Sequence, residues 1–332
     1  MNTTKEKKIK ILVIGLGSMG KRRIRLLQKD FKDIAEVAGI DKNPERNEQV
    51  QNMYGIKTYL TLDKAIDAEE PFAALICTAP DTHSAIIMKC LDKKIHVFSE
   101  LNLIKSKYNE IIKKADENNL EIFLSSTLLY REDLQYVINK VKTENKKFFY
   151  RYHTGQYLPD WHPWESYKDF FAGNPETNGC REMLAIELPW ILNAFGKVSK
   201  MKVVRDKISS LEINYPDSYI VVFEHGNGIK GVLSLDVVSR KAVRDLEIYS
   251  EDTHLFWDGI TGSLQEYDKQ QKKLRDTFSD AEPGTKDIME RAYTEELKLF
   301  IGKISGLEAK EKYTFKDDIY TLDLIDKIEG II

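Results

Sequence analysis

Gly15, Gly17 and Gly20 fall in the order Gly-x-Gly-x-x-Gly, a spacing suited to holding a pyrophosphate. In such a turn Gly15 permits the tight bend, Gly17 lets the backbone approach the diphosphate, and Gly20 lets a helix pack closely on a strand. The unpaired N–H groups of Ser18, Met19 and Gly20 at the positive helix end would then face the phosphates. Asp41 ends the next apolar run. A carboxylate there accepts hydrogen bonds from the adenine ribose and repels a 2′-phosphate, which favours NAD; Lys42 and Arg46 nearby leave NADP open.

A second constellation runs from Tyr157 to Phe171 and holds six of Phe, Tyr and Trp in fifteen residues, interrupted by two prolines. Such a segment does not suit a regular strand, but Tyr157, Trp161 and Trp164 can stack on a sugar ring while Asp160, His162 or Glu165 fixes its hydroxyls. His162 is a natural general base if no lysine serves. A hydrophobic flap with His162 merely hydrogen-bonded is the alternative. The third constellation lies on a strong helix from Cys180 to Phe195. Helical spacing puts Glu187 on an apolar face with Met183, Trp190, Ile191 and Ala194. Desolvation there would make it a usable acid or base, whereas a structural carboxylate bonded to an arginine is equally consistent. Pro189 interrupts the same helix and would bend it beside Glu187.

Other chemistries are excluded by what is missing. Cys77, Cys90 and Cys180 show no C-x-x-C spacing, no His/Asp/Glu spacing suggests a metal, and no G-x-S-x-G marks a nucleophilic serine. A formal net charge of −3 speaks against nucleic acid and acidic lipid as partners. No run approaches the roughly 18 apolar residues of a membrane span. The cysteines and the charged start without an apolar run point to a cytoplasmic protein.

These residues must be positioned by two kinds of scaffold. Apolar β-branched runs at Ile9–Ile14, Glu36–Ile40, Ala73–Cys77, Ile95–Phe98 and Glu121–Leu124 alternate with helical patterns, which predicts an α/β domain with a doubly wound parallel sheet over residues 1–125. Over 126–332 the rhythm changes to helices around Arg131–Lys142 and Cys180–Phe195, then strands joined by tight turns. His225-Gly-Asn-Gly228 between two strands is a hairpin signal. This second domain is expected to be α+β with a mostly antiparallel sheet, one face covered by helices and one open, through which a homo-oligomer could form. The closing helices, Ile288–Ile304 and Asp317–Ile328, are expected to pack back on the first domain.

The chain resembles the glucose–fructose oxidoreductase / inositol dehydrogenase (Gfo/Idh/MocA) family. The resemblance rests on Gly15-Leu-Gly-Ser-Met-Gly20, on Cys77-Thr-Ala-Pro-Asp-Thr-His83 and on Lys94-Ile-His-Val-Phe-Ser-Glu100, and covers the first 125 residues. It implies that Thr78 and Pro80 line the nicotinamide end, that Glu100 sits by the nicotinamide ribose, and that His83 belongs to the cofactor-binding set in a structural role. Two departures stand out. Where the family has Glu-Lys-Pro, this chain has Glu100-Leu101-Asn102, so the lysine that assists proton transfer is replaced by a leucine that cannot titrate, followed by an asparagine that can only hydrogen-bond to substrate. Where the family often has Asp and His four residues apart on a helix, Met183 and Glu187 fall here, with Glu182 one residue away.

The expectation is an NAD-dependent oxidoreductase acting on a sugar, sugar acid, cyclitol or nucleotide sugar. Glu187, His162 or Glu182 would handle the proton, and Asn102, Tyr157, Trp161, Trp164 and Arg181 would contact the substrate. Two other outcomes stay open: an enzyme that recycles tightly bound NAD, of epimerase, lyase or glycosidase type, and a cofactor-binding sensor or regulator without catalysis.

Overall fold

The computed structural model describes residues 8–162, 165–260, 262–277 and 288–332. It divides into two compact units, one of Met1–Ser126 with Thr294–Ile319, the other of Thr127–Tyr293 with Tyr320–Ile332.

The first unit contains β1 (Ile9–Ile14), α1 (Ser18–Asp30), β2 (Ala35–Ile40), α2 (Pro44–Tyr54), β3 (Thr58–Tyr59), α3 (Leu62–Glu69), β4 (Ala73–Ile76), α4 (His83–Asp92), β5 (His96–Ser99), α5 (Tyr108–Asn118) and β6 (Ile122–Leu124). The six strands lie all parallel in the order β3-β2-β1-β4-β5-β6. The order reverses beside β1, and in open α/β sheets the crevice at that reversal is where ligands bind. Leu12, Val13, Leu75, Ile76, Val97 and Phe98 are fully buried, as strands covered on both faces require. Arg23 of α1 is buried with them, its guanidinium over the Phe98 ring, bonded to Glu100 at 2.6 Å and Glu296 at 2.9 Å. Glu296 also accepts from Ser125 Oγ and the Ser126 amide. Burial raises the Glu296 pKa, and Arg23 opposes that shift.

The second unit contains α6 (Glu132–Glu144), β7 (Phe149–Gly155), α7 (Gly179–Phe195), β8 (Val198–Asp206), β9 (Ser218–His225), β10 (Lys230–Asp236), β11 (Val243–Tyr249), β12 (His254–Trp257), β13 (Gln265–Asp268) and β14 (Lys273–Asp276). Two further helices, α8 (Ile288–Ile304) and α9 (Phe315–Glu329), end the chain. The eight strands are ordered β14-β13-β12-β11-β7-β10-β9-β8, antiparallel except for β7 beside β10. The mostly antiparallel expectation therefore holds, with one parallel pair inside it. The β9–β10 hairpin turns where its sequence indicated, Gly228 taking φ +87°. Alternation is plain along β9, where Tyr219, Val221 and Phe223 are buried while Ile220 and Val222 are exposed. The buried face packs beneath α7, and α6 packs on α7. Helix α7 runs unbroken through Pro189.

Candidate active site

At the cofactor end of the first unit each glycine meets a different constraint. Gly15 takes φ +93°, and a Cβ there would lie 2.7 Å from the Cys77 carbonyl oxygen. A Cβ on Gly20 would lie 1.9 Å from the Gly15 oxygen, so the helix could not approach the turn. Around Gly17 nothing lies within 4 Å of such a Cβ, which leaves a clear approach to the backbone. Gly17 is also the N-cap of α1, and no side chain caps the helix. Its first N–H groups are thus left for an anion. Ser18 is exposed, and Met19 half-buried.

Asp41 is buried at the end of β2, where Oδ2 accepts from the Leu16 amide at 2.8 Å and Oδ1 from the Asn43 amide at 2.9 Å. Each oxygen keeps lone-pair capacity for a ribose hydroxyl. Arg46 Nη1 lies 3.7 Å from Oδ2 and is half exposed. The residues present therefore fit a dinucleotide. Thr78 Oγ1 lies 2.7 Å from Thr82 Oγ1, and Pro80 is half-buried at the start of the turn before α4.

His83 is buried, with Nε2 2.9 Å from the Thr78 oxygen and Nδ1 2.6 Å from the Asn102 side-chain amide. Burial lowers its pKa, which suits a neutral ring that ties α4 to the loop after β5. Asn102 is buried, with its Oδ1 bonded to His83. Glu100 is bonded to Arg23 rather than displayed alone.

The second unit holds a cavity of about 410 Å³. Glu182, Met183 and Ile186 of α7 line it, with Trp161 and His162 from the aromatic segment, Gln156 after β7, Arg244 on β11, and Asp258 and Gly259 after β12. Glu182 and Ile186 are four residues apart and so share a helix flank. Glu187, one position further, points about 100° away. Glu182 has an enclosed Oε2 with no hydrogen-bond partner among the described residues. Burial raises its pKa to about 7. That is the condition of a group able to take or give a proton near neutrality. His162 Nδ1 lies 2.8 Å from Glu165 Oε1, a contact that orients the ring. Trp161 donates from Nε1 to the Gln156 oxygen at 3.2 Å.

Three expectations are corrected here. Glu187 is not the proton carrier: it is buried, its Oε2 accepts from Tyr152 OH at 2.8 Å and Trp190 Nε1 at 2.7 Å, and its Oε1 from Arg244 Nε at 2.9 Å. A carboxylate with three strong donors holds structure together. Arg181 is not a substrate contact, because Asp326 at 2.7 Å and Glu329 engage its guanidinium. Tyr157 stands outside the cavity lining, its ring 3.7 Å beneath the Arg240 guanidinium. Trp164 lies outside the described residues. Arg244 and Asp258 were missed, since nothing local in the sequence distinguishes them from other charged residues of a meander.

The fold and the glycine turn define a class, and the comparisons agree. Residues 9–123 match the oxidoreductase family with an NAD-binding Rossmann fold, Gfo/Idh/MocA. A curated relative is 4-carboxy-2-hydroxymuconate-6-semialdehyde dehydrogenase of a Sphingobium species, 26% identical over 136 residues, which is 40% of this chain and 43% of the relative. Three solved structures share the whole architecture at low identity. GenD2 from gentamicin A biosynthesis, in complex with NAD, superposes with a TM-score of 0.79 at 13% identity, covering 99% of this chain and 96% of its own. The WlbA dehydrogenase from Bordetella pertussis, with NADH and UDP-GlcNAcA, gives 0.78 at 15%, covering 97% and 95%. An oxidoreductase from Agrobacterium radiobacter, with NAD+, L-tartaric acid and magnesium, gives 0.76 at 14%, covering 98% and 97%. At such identities the likeness shows the fold. Among the described residues no helix is long and apolar enough to cross a membrane, and no cluster of His, Cys, Asp and Glu could hold a metal ion.

Proposed function

We propose that this protein is an NAD-dependent oxidoreductase acting on a small sugar-derived substrate, with the cofactor held by the first unit and the substrate by the cavity of the second. The observation that carries the reading is Glu182, whose enclosed, unpartnered Oε2 belongs to a carboxyl lining that cavity. Gly17 and the uncapped start of α1 would hold the diphosphate, and Asp41 the adenine ribose. Bound NAD supplies a nicotinamide that exchanges hydride with a carbinol or carbonyl carbon.

The chain supplies the proton traffic. As a carboxylate, Glu182 takes the hydroxyl proton of the substrate; as an acid, it returns the proton to a carbonyl. This assigns to α7 the task that Leu101 cannot perform. Trp161 offers a face to a sugar ring, and His162, oriented by Glu165, lines the same cavity. NAD is favoured over NADP by the buried Asp41 carboxylate.

The open face of the eight-stranded sheet, with Val204, Ile220, Val222 and Leu274 exposed, supports self-association. The unbridged thiols of Cys77, Cys90 and Cys180 suit a reducing, cytoplasmic setting.

The test follows NADH absorbance with NAD+ and a panel of aldonates, hexuronates, cyclitols and nucleotide sugars, beside Glu182→Gln. Turnover by the wild type that falls by about 10²-fold or more in the variant, with NADH affinity kept, is the expected result. Tight NADH binding without any turnover in the panel would favour the sensor. Product formed without net change in added cofactor would favour the recycling class.

A further inference from the structure

We infer that the substrate of this cavity carries a carboxylate, and that Arg244 is the residue that grips it; the inference rests on the cavity being the substrate site. Arg244 lines the cavity from β11, and its side chain keeps 38% of its exposure. A guanidinium has five N–H donors in a planar fork. Here Nε is committed to Glu187, and the Tyr152 hydroxyl interacts with the same group. Further donors remain for a ligand.

The support behind Arg244 is built to keep it still. Glu187 is 1% exposed and is itself pinned by Tyr152 OH and Trp190 Nε1, so it cannot turn away. Gly259, at φ +80°, also passes so near that a Cβ there would lie 2.6 Å from the Arg244 Cβ. A fixed fork loses little entropy on binding a carboxylate through two parallel hydrogen bonds. Glu187 is thus a positioning residue that acts through Arg244.

The cavity's other charges leave room for an anion. Asp258 is exposed and accepts from the Ile260 amide at 3.0 Å. Glu182 is kept largely protonated below about pH 7 by its burial and adds little repulsion there.

The experiment is calorimetric binding of D-glucuronate, D-galacturonate and D-gluconate, each beside its neutral carboxamide, to the full chain with NADH present and absent. The expected result is that at least one acid binds about tenfold or more tightly than its amide, and that Arg244→Gln erases the difference while leaving the amide's affinity in place. Because Arg244→Gln strands the buried Glu187 charge, the paired variant Arg244→Gln/Glu187→Gln is measured too; it removes both charges together and should erase the preference while the fold is retained. Arg244→Lys should restore only part of the preference, since an ammonium lacks the planar fork. Equal binding of acid and amide, selectivity that survives in the paired variant, or no acid bound below about 10 mM would overturn the inference. Acid selectivity through Arg244 in a protein that binds no NADH would instead sink the oxidoreductase reading alone.

Discussion

Arg244 donates from Nε to Glu187 Oε1 across 2.9 Å, tying β11 to α7 between residues 57 apart in the chain. Glu187 is almost wholly buried, so its charge relies on this partner and on two neutral donors, Tyr152 and Trp190. Arg244→Ala is expected to lower stability by about 2–4 kcal/mol, because one buried charge is then left without its counter-ion. Glu187→Gln, which retains an acceptor for Tyr152 and Trp190, should cost less. Urea denaturation of the two variants beside the wild type checks the order.

Glu182 predicts a pH dependence of stability. Its folded pKa lies above the ordinary value of 4.5, at about 7, with burial as the cause. The folded state therefore holds the proton more tightly than the unfolded state. The stabilisation is fully present below about pH 4.5 and is lost as pH rises through about 7, by about 1–3 kcal/mol after allowing for water in the cavity. Glu182→Gln should flatten this slope in denaturation curves taken between pH 4 and 8. The same variant should remove a limb near pH 7 from the rate profile.

Gly17 and Gly20 should respond in opposite ways to one added methyl. Gly20→Ala places a Cβ 1.9 Å from the Gly15 oxygen and should destabilise the first unit by about 2 kcal/mol or more. Gly17→Ala meets nothing within 4 Å and should leave the melting temperature nearly unchanged. Its methyl stands where a diphosphate would approach, so NADH affinity should fall. Thermal melting and NADH fluorescence titration on both variants separate the two effects.

Asp41→Ala should weaken NADH binding by about tenfold, the worth of a charge-assisted hydrogen bond or two. NADPH binding should weaken less or improve, because the repelling carboxylate is gone while Arg46, 3.7 Å from it, stays. A fluorescence titration with both nucleotides reads the change in preference directly.

Much of the first unit was legible from residue order, because its signals are local. A strand, a glycine turn and a helix follow one another within some twenty residues, and Asp41 ends the next strand. The second unit was legible in outline only. Its hairpin was read from Asn-Gly in the turn, but β8, β13 and β14 alternate too weakly to stand out among charged residues, as the exposed pattern of β14 shows. The aromatic segment supplied Trp161 and His162 to the cavity while Tyr157 turned to Arg240, a division that composition cannot make.

The sequence by itself pointed to a dinucleotide-binding sheet in the first unit and offered two carboxylates on one helix, Glu182 and Glu187, as candidate proton carriers. Only the tertiary structure set their surroundings apart. Glu182 and Glu187 differ by five residues, which a helix converts into different directions, one toward a cavity and one toward an arginine on a distant strand. Whether a carboxylate is a proton carrier or a brace depends on which donors reach it, and Arg244, Tyr152 and Trp190 reach Glu187 only once the chain has folded.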